Sequence, residues 1–273
     1  MTQARWRLLI TPPADGPLNM AIDQAIMEAV AAGRVPPTLR FFAWTPPCLS
    51  LGYTQPVADV DRARLAAHGW GLVRRMTGGR AILHTDELTY SVALPADDLV
   101  VAGGVVESYR RLSAALVAGL HALGVEPEAD KRADGHGAAS GPVCFEVPSH
   151  YEITVGRSKL IGSAQVRKFG AVLQHGTLPL AGDIARICDA LVFASDEQRA
   201  RVRARVAERA TTLERALGRT VSWDEAAQIM IASFRQVFDL ALEQADALTA
   251  EETARAARLR EEQYAAETWN ARF

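Results

Sequence analysis

Three short segments of the chain combine residue types that could bind or transform a ligand. The first, residues 74–84, reads Arg-Arg-Met-Thr-Gly-Gly-Arg-Ala-Ile-Leu-His and sets two adjacent glycines between arginines. Glycine adopts positive φ without strain and lets a ligand approach the main chain closely. The arginines and the histidine would suit an anionic or carbonyl-bearing ligand. A tight turn with solvated arginines would produce the same pattern, so this segment alone leaves both interpretations open.

The second segment, residues 142–151, contains Cys144. This cysteine follows a stretch rich in glycine and polar residues, 130–142, which predicts a loop, and it precedes a predicted strand. A thiol at the end of a loop could be exposed and reactive. By contrast, Cys188 lies beside Ile187 and Leu191 in a predicted helix. Burial as a small apolar side chain is the commoner state of a cysteine, and that alternative remains open here.

The third segment, residues 156–165, carries Lys159 at the start of a strand and continues with small residues that leave room for a ligand. Only three of the 30 basic residues are lysines: Lys131, Lys159 and Lys168. Codon bias and a solvated side chain would account for each of them. If Lys159 lay next to Cys144, however, its ammonium would lower the pKa of the thiol from about 8.5 and increase the thiolate fraction.

Hydrophobic periodicity places these segments among short strands and a few helices. An apolar stripe at helical spacing predicts a helix over Val105–Leu123. From Asp183 onward the sequence predicts helix to the end, with capping sequences at Ser222 and Thr249. The pattern indicates an α+β or mixed α/β domain over residues 1–190 and a helical C-terminal extension over 191–273. It contains neither the regular strand–helix alternation of a doubly wound fold nor a P-loop or Gly-x-Gly-x-x-Gly motif.

Composition limits the class of protein. Hydrophobic residues make up 49% and charged residues 23% of the chain, which is typical of a globular domain and excludes intrinsic disorder. The net charge of −2 argues against a general binder of nucleic acids or membrane surfaces. We expect a cytoplasmic protein, since no signal peptide and no run of about 18 apolar residues is present. Three widely spaced cysteines predict neither a disulfide framework nor a zinc site.

In combination, these motifs resemble the superfamily of biotin/lipoate protein ligases and octanoyltransferases, and within it the LipM-type octanoyltransferases. The resemblance rests on residues 77–84, on Cys144-Phe145 and on residues 159–165, in the order typical of the family. The lysine follows the cysteine by 15 positions. Further matches are Asn19-Met-Ala-x-Asp23 and Trp269-Asn270, so the resemblance spans nearly the whole chain. It favours functional roles for Cys144 and Lys159.

The resemblance implies a mixed β-sheet flanked by helices, with the acyl chain bound between the glycine-pair loop and the lysine strand. It implies that Cys144 is an acyl-thioester nucleophile, and that Lys159 lowers the pKa of Cys144 and stabilises the oxyanion. No cofactor, metal or ATP is needed, because a thioester is already activated. The substrate-binding residues implied are Arg75, Thr77, Gly78, Gly79, Arg80, His84, Gly162, Ser163 and Ala164.

The implied partners are octanoyl-acyl carrier protein as donor, and the glycine cleavage H protein or another lipoyl domain as acceptor; nucleic acids and membranes are not expected as partners. Both kinds of partner are typically acidic in this family. Near Arg199, the residues Arg201, Arg205 and Arg209 recur at i, i+4 and i+8, which puts them on one helix face. This face could dock an acidic partner, although a plain solvated helix fits the same spacing.

Three other functions remain open at this point. An ATP-dependent lipoate–protein ligase would, in this superfamily, usually carry a third glycine at the position of Arg80 and would not need the cysteine. An amidotransferase that moves octanoyl from the H protein to other lipoyl domains would also use a cysteine and a lysine. A non-catalytic acyl-chain-binding protein would need neither Cys144 nor Lys159, so their presence argues against it.

Overall fold

A computed structural model describes residues 3–129 and 153–273 of the 273-residue chain. Within these ranges the strands are β1 (Ala4–Ile10), β2 (Thr38–Phe42), β3 (Cys48–Leu51), β4 (Gly71–Arg74), β5 (Ile82–His84), β6 (Glu87–Pro95), β7 (Glu128–Ala129), β8 (Ile153–Val155), β9 (Ser158–Lys168), β10 (Ala171–Pro179) and β11 (Leu240–Ala245). The helices there are α1 (Gly16–Ala31), α2 (Arg62–His68), α3 (Val105–Leu123), α4 (Asp196–Arg209), α5 (Leu213–Leu217), α6 (Trp223–Phe238), α7 (Ala250–Leu259) and α8 (Glu267–Asn270).

The described residues form two sheets. The larger is an eight-stranded mixed sheet in the order β11-β1-β2-β6-β10-β9-β8-β7. Strands β11, β1 and β2 run parallel, and each later neighbour pairs antiparallel with the one before it. The smaller sheet has the order β4-β3-β5. The segment that joins β4 to β5 contains the glycine pair, and a hydrogen bond between Thr77 and His175 of β10 places this segment beside the larger sheet.

Helices cover both faces of the larger sheet. Side chains alternate along a strand, and in β2 Phe41 belongs to the core shared with α3 and α6, whereas Phe42 belongs to the core shared with α1 and α7. A third core lies between the small sheet, α2, α4 and a 3-10 helix at Ile184–Ala190. The predicted architecture, a mixed sheet flanked by helices, is confirmed. None of the described helices is long and apolar enough to cross a membrane.

The helix predicted over Val105–Leu123 has those bounds in the structure. The prediction of helix from Asp183 to the end was wrong at β11, which pairs in parallel with β1. The sequence of β11, Leu-Ala-Leu-Glu-Gln-Ala, consists of good helix formers. Asp239 ends α6 in the left-handed region at φ 49°, and the free edge of β1 then supplies hydrogen-bond partners. Tertiary pairing therefore overrides local propensity here.

Candidate active site

A cavity of about 390 Å³ opens between the glycine-pair segment, strands β9 and β10, and the start of α3. The predicted substrate-binding residues that line it are Arg75, Gly78, Gly79, Arg80, His84, Gly162, Ser163 and Ala164. Thr77 is the remaining predicted residue, and it is buried. Its hydroxyl is hydrogen-bonded to His175, which lines the cavity. The fold therefore brings together segments that lie about 80 positions apart in the sequence.

Apolar side chains form much of the cavity wall. They are Met20, Trp44, Ile82, Val105, Val106 and Tyr109. The Trp44 indole stacks on the His84 imidazole, with ring centroids 3.9 Å apart and an angle of 8° between the planes. Trp44 also donates its Nε1–H to Thr89 Oγ1 at 2.8 Å, which fixes the ring. Such a wall, with a few polar groups at defined points, suits a ligand that has an apolar chain and a polar head.

The Arg75 side chain holds the glycine turn in place. Its guanidinium is buried and donates to the carbonyl oxygens of Gly78 at 3.0 Å and Arg80 at 3.1 Å. It also donates to both the carbonyl and the hydroxyl of Ser50, at 2.9 and 2.8 Å. Gly79 has φ 95°, a conformation that side chains rarely adopt, so glycine is required at this position. Arg75 thus organises the main chain of the turn as well as lining the cavity.

Lys159 lies at the edge of the cavity rather than in its lining. The side chain is only 4% exposed. A Cβ built on Gly162, which does line the cavity, would be 3.0 Å from Lys159 Cε and 3.4 Å from Nζ. The Lys159 main chain is fixed from the other side, because its carbonyl accepts a hydrogen bond from the Thr211 amide at 2.9 Å. The absence of a side chain at Gly162 is what allows the ammonium to reach this position.

Cys144, the predicted nucleophile, lies outside the described residues. The other two thiols, Cys48 and Cys188, are both buried. Burial raises the pKa of the Cys48 thiol far above its usual value, with Asp15 as a smaller contribution. A buried thiol with a raised pKa is a poor nucleophile. The geometry therefore gives Cys48 a packing role, and the burial of Cys188 beside Ile187 and Leu191 indicates the same role for that thiol.

A hydrogen-bonded line of side chains orients His84. Its Nδ1 donates to Glu87 Oε1 at 2.6 Å, and its Nε2 lies 2.7 Å from Ser50 Oγ. Burial alone would raise the pKa of Glu87, but the His84 imidazole and neighbouring hydroxyls hold it below its usual value, so the carboxylate is an acceptor. Serine, histidine and carboxylate in this order resemble a hydrolytic triad. Ser50 is fully buried, however, so the arrangement orients the imidazole instead of presenting a nucleophile.

A second buried line of side chains ends at the glycine turn. Asp23 accepts from Arg40 Nη1 at 2.7 Å and from Ser91 Oγ at 2.8 Å, and its other oxygen lies 3.3 Å from His175 Nδ1. Burial would raise the pKa of Asp23, but Arg40 and then His175 hold it below its usual value. The ionised carboxylate makes Nδ1 of His175 the donor. The Nε2 of a neutral His175 then accepts from Thr77 Oγ1 at 2.7 Å.

Sequence reasoning missed Glu87, His175 and Trp44. One signal was present in β6, where Glu87, Thr89 and Ser91 alternate with apolar residues on a strand that is buried from its first residue to Leu94. Polar side chains on a buried face must find hydrogen-bond partners, so the alternation pointed to a polar network. For His175, a lone histidine in a buried strand, no pattern indicated that its partner would be Asp23, 152 positions away.

Comparison with known proteins gives the family. The model of the lipoyl protein ligase A/B catalytic domain matches residues 15–235. An octanoyltransferase LipM from Symbiobacterium thermophilum is 42% identical over 277 aligned residues, covering 99% of both chains. Another, from Moorella thermoacetica, is 44% identical and covers 87% of this chain and 88% of the relative. The chain belongs to the LipM octanoyltransferase family. The predicted resemblance and the prediction of an acyltransferase are confirmed.

A solved structure shares the fold of this LipM family member. A bi-partite lipoate protein ligase from Thermoplasma acidophilum, described together with its E2 lipoyl domain, superposes with a TM-score of 0.83. It covers 98% of this chain and 96% of its own, with 24% identical residues. The mixed sheet flanked by helices is therefore the fold of lipoyl ligases as well as of this octanoyltransferase family.

Proposed function

We propose that this LipM family member transfers octanoyl from octanoyl-acyl carrier protein to the acceptor lysine of a lipoyl domain, such as that of the glycine cleavage H protein. The acyl group passes through a thioester on Cys144. The similarity to octanoyltransferases LipM supports octanoyl transfer. The similarity to the Thermoplasma lipoate protein ligase, which has its own E2 lipoyl domain, supports a lipoyl domain as the acceptor.

The observation that carries the proposal is the position of Lys159 beside Gly162. Gly162 lines a cavity with apolar walls, and the Lys159 ammonium lies next to this glycine. The cavity volume of about 390 Å³ lies near the lower end of the ~300–1,000 Å³ range for small-ligand sites. An octanoyl chain would lie along the apolar walls, with its carbonyl toward the ammonium. Cys144 completes the pair in this proposal, as the order of the family motifs implies.

Two steps then complete the transfer. The Cys144 thiolate attacks the carbonyl carbon of the donor thioester, a new carbon–sulfur bond forms, and the carrier thiolate leaves and takes up a proton. The neutral amine of the acceptor lysine next attacks the acyl-enzyme. Its carbon–nitrogen bond forms while the carbon–sulfur bond to Cys144 breaks, and the amine loses a proton. The Lys159 ammonium stabilises the Cys144 thiolate before the first step, and it stabilises the oxyanion that forms at the acyl carbonyl in both steps.

Arg80 supports a transferase over an ATP-dependent ligase. In this superfamily the ligases usually carry a third glycine where this chain has Arg80. The carbonyl of Arg80 accepts from Arg75, and the residue lines the cavity. A side chain at this position takes up space that a third glycine would leave open. A thioester donor needs no activation by ATP, which fits a site without that space.

The experiment is a transfer assay with three donors in separate reactions: octanoyl-acyl carrier protein, free octanoate, and octanoyl-H protein with a second apo lipoyl domain as acceptor. The enzyme is mixed with apo H protein and octanoyl-acyl carrier protein without ATP, and the acceptor mass is recorded. A parallel reaction supplies free octanoate with ATP and magnesium. The proposal predicts transfer to the acceptor in the first reaction alone, and none with Cys144→Ala. Modification that requires ATP would establish a ligase, and turnover of octanoyl-H protein with a second lipoyl domain alone would establish the amidotransferase.

A further inference from the structure

The Arg74 side chain, next in sequence to the cavity residue Arg75, binds six backbone carbonyl groups. It is fully buried and takes no part in the cavity lining. Its acceptors are the carbonyl oxygens of Gly52 (2.9 Å), Tyr53 (3.2 Å), Gln55 (2.6 Å), Trp269 (3.2 Å), Asn270 (2.8 Å) and Arg272 (2.6 Å). A guanidinium has five N–H donors in one plane and can reach acceptors on several sides at once, whereas a lysine ammonium has only three donors.

The six acceptors belong to two separate segments, residues 52–55 and residues 269–272. Side chains of the second segment also hold the Arg74 main chain. Asn270 Oδ1 accepts from the Arg74 amide at 2.7 Å, and Trp269 donates its Nε1–H to the Arg74 carbonyl at 2.9 Å. Asn270 is anchored in turn, because its Nδ2 donates to the Tyr264 carbonyl at 2.8 Å. Residues 269–272 therefore form a strap across the end of β4.

The first segment supports the glycine turn of the cavity. A Cβ placed on Gly52 would lie 1.8 Å from the carbonyl oxygen of Gly79, so the two backbones are in direct contact. The Tyr53 amide donates to the Thr77 carbonyl at 2.9 Å. Any shift of residues 52–55 would therefore move the turn, and Arg74 joins these residues to the strap, together with the ring contact between Tyr53 and Trp269.

We propose that Arg74 and Asn270 are positioning residues, which set the Gly78–Gly79 turn for acyl binding through the contact between Gly52 and Gly79. Neither residue touches the cavity. The strap, remote in sequence, thus determines how well the turn fits an acyl chain. The inference rests on the proposed function only for the identity of the ligand; the mechanical link between strap and turn does not depend on it.

Hydrogen exchange and kinetics together test this proposal. Asn270→Ala removes the acceptor of the Arg74 amide, and Trp269→Phe removes a single hydrogen bond in case the first variant does not fold. Gly52→Ala displaces the turn directly and leaves the strap intact. Glu252→Gln is the control, because it weakens the buried ion pair between Glu252 on α7 and Arg7 on β1, neither of which is a hydrogen-bond partner of Arg74 among the described residues. Exchange is followed at the amides of Tyr53 and Arg75, with β6 amides as the internal reference.

The strap variants and Gly52→Ala should speed exchange at Tyr53 and Arg75 by about tenfold or more relative to β6, because local opening becomes easier. They should also raise KM for octanoyl-N-acetylcysteamine by at least about fivefold while kcat stays within about twofold. The control should do neither. Exchange that rises equally in β6, or an unchanged KM, would overturn the proposal. A wild-type enzyme without turnover would count against the proposed function alone, since exchange requires no substrate.

Discussion

His175 Nδ1 lies 3.3 Å from Asp23 Oδ2, and both side chains are buried beneath the glycine turn. The other oxygen of the same carboxylate, Asp23 Oδ1, accepts a hydrogen bond from Arg40 Nη1 at 2.7 Å. Burial lowers the pKa of His175, and this effect outweighs the opposite effect of Asp23; Arg75 and His84 lower it further. The Nε2 of the neutral imidazole can then accept a hydrogen bond from the Thr77 hydroxyl. The anchor of the glycine turn therefore depends on the protonation state of His175.

This relationship predicts a dependence of stability on pH. The pKa of His175 in the folded state lies below its value of about 6.5 in an unfolded chain, so below that pH the unfolded state binds more protons. The free energy of unfolding should therefore fall as pH drops from about 7 to 5, by at most ~1.4 kcal/mol per pH unit. Urea unfolding of the wild type and His175→Gln at several pH values measures how the free energy of unfolding depends on pH. Parallel slopes for the two proteins would contradict the assignment.

Lys159 is expected to tune the nucleophilic thiol. Lys159→Met removes the ammonium and keeps most of the buried side-chain volume, so the fold should persist. We expect the pKa of Cys144 to rise, and alkylation by iodoacetamide near pH 7 to slow by about tenfold for each unit of pKa shift. The measurement is the alkylation rate against pH. Cys144→Ala serves as the control, because the buried Cys48 and Cys188 should not react in the folded protein. Superimposable curves for wild type and Lys159→Met would refute this role.

Gly162→Ala offers a milder test of the same ammonium. The new methyl group would lie 3.0 Å from Lys159 Cε, so the lysine side chain must shift while the backbone can stay in place. We expect slower alkylation of Cys144 and a lower kcat, with Tm changed by only a few degrees. Gly78→Ala is the matched control for the alkylation rate, because its methyl group would meet nothing within 4 Å among the described residues. If the two variants alkylate alike, the position of Lys159 beside Gly162 has no bearing on the thiol.

Local pattern predicts the α+β class and marks the glycine-pair segment and the Lys159 strand as candidates, whereas the family resemblance implies the mixed sheet flanked by helices and the acyl site between those two segments. Hydrophobic spacing defines α3, and glycine pairs and rare lysines are visible in the sequence itself. The strand β11 could not be predicted, because its helix-forming residues adopt the strand only by pairing with β1. Asp23 lies 152 positions from His175 and Arg272 lies 198 positions from Arg74, and no local signal connects either pair. The motif resemblance predicted the turn, while the buried network behind it emerges only in three dimensions.

The arginines of α4 are expected to attract an acidic partner. Arg201, Arg205 and Arg209 are exposed, and Ala210, which follows α4, forms a β-bridge with Lys159. Reversal of the three charges to Glu should lower kcat/KM for octanoyl-acyl carrier protein about tenfold at low salt and weaken its salt dependence.

Two comparisons separate specific docking from a general charge effect. The same charge change made on other helices and loops, at Arg219, Arg235 and Arg258, should have a smaller effect. An unchanged rate at low salt for the α4 variant would mean that this face is simply solvated. Turnover of a small octanoyl thioester should be equal in all three proteins.

The covalent intermediate is the most direct test of the account. The enzyme is incubated with octanoyl-acyl carrier protein, without ATP and without an acceptor, and its intact mass is recorded before and after hydroxylamine treatment. We predict a gain of one octanoyl group that maps to Cys144, is removed by hydroxylamine, passes to added apo H protein, and is absent in Cys144→Ala. Two results would contradict the central claim: octanoyl transfer to the H protein while Cys144 carries no acyl group, or a Cys144→Ala variant that modifies the H protein as well as the wild type does.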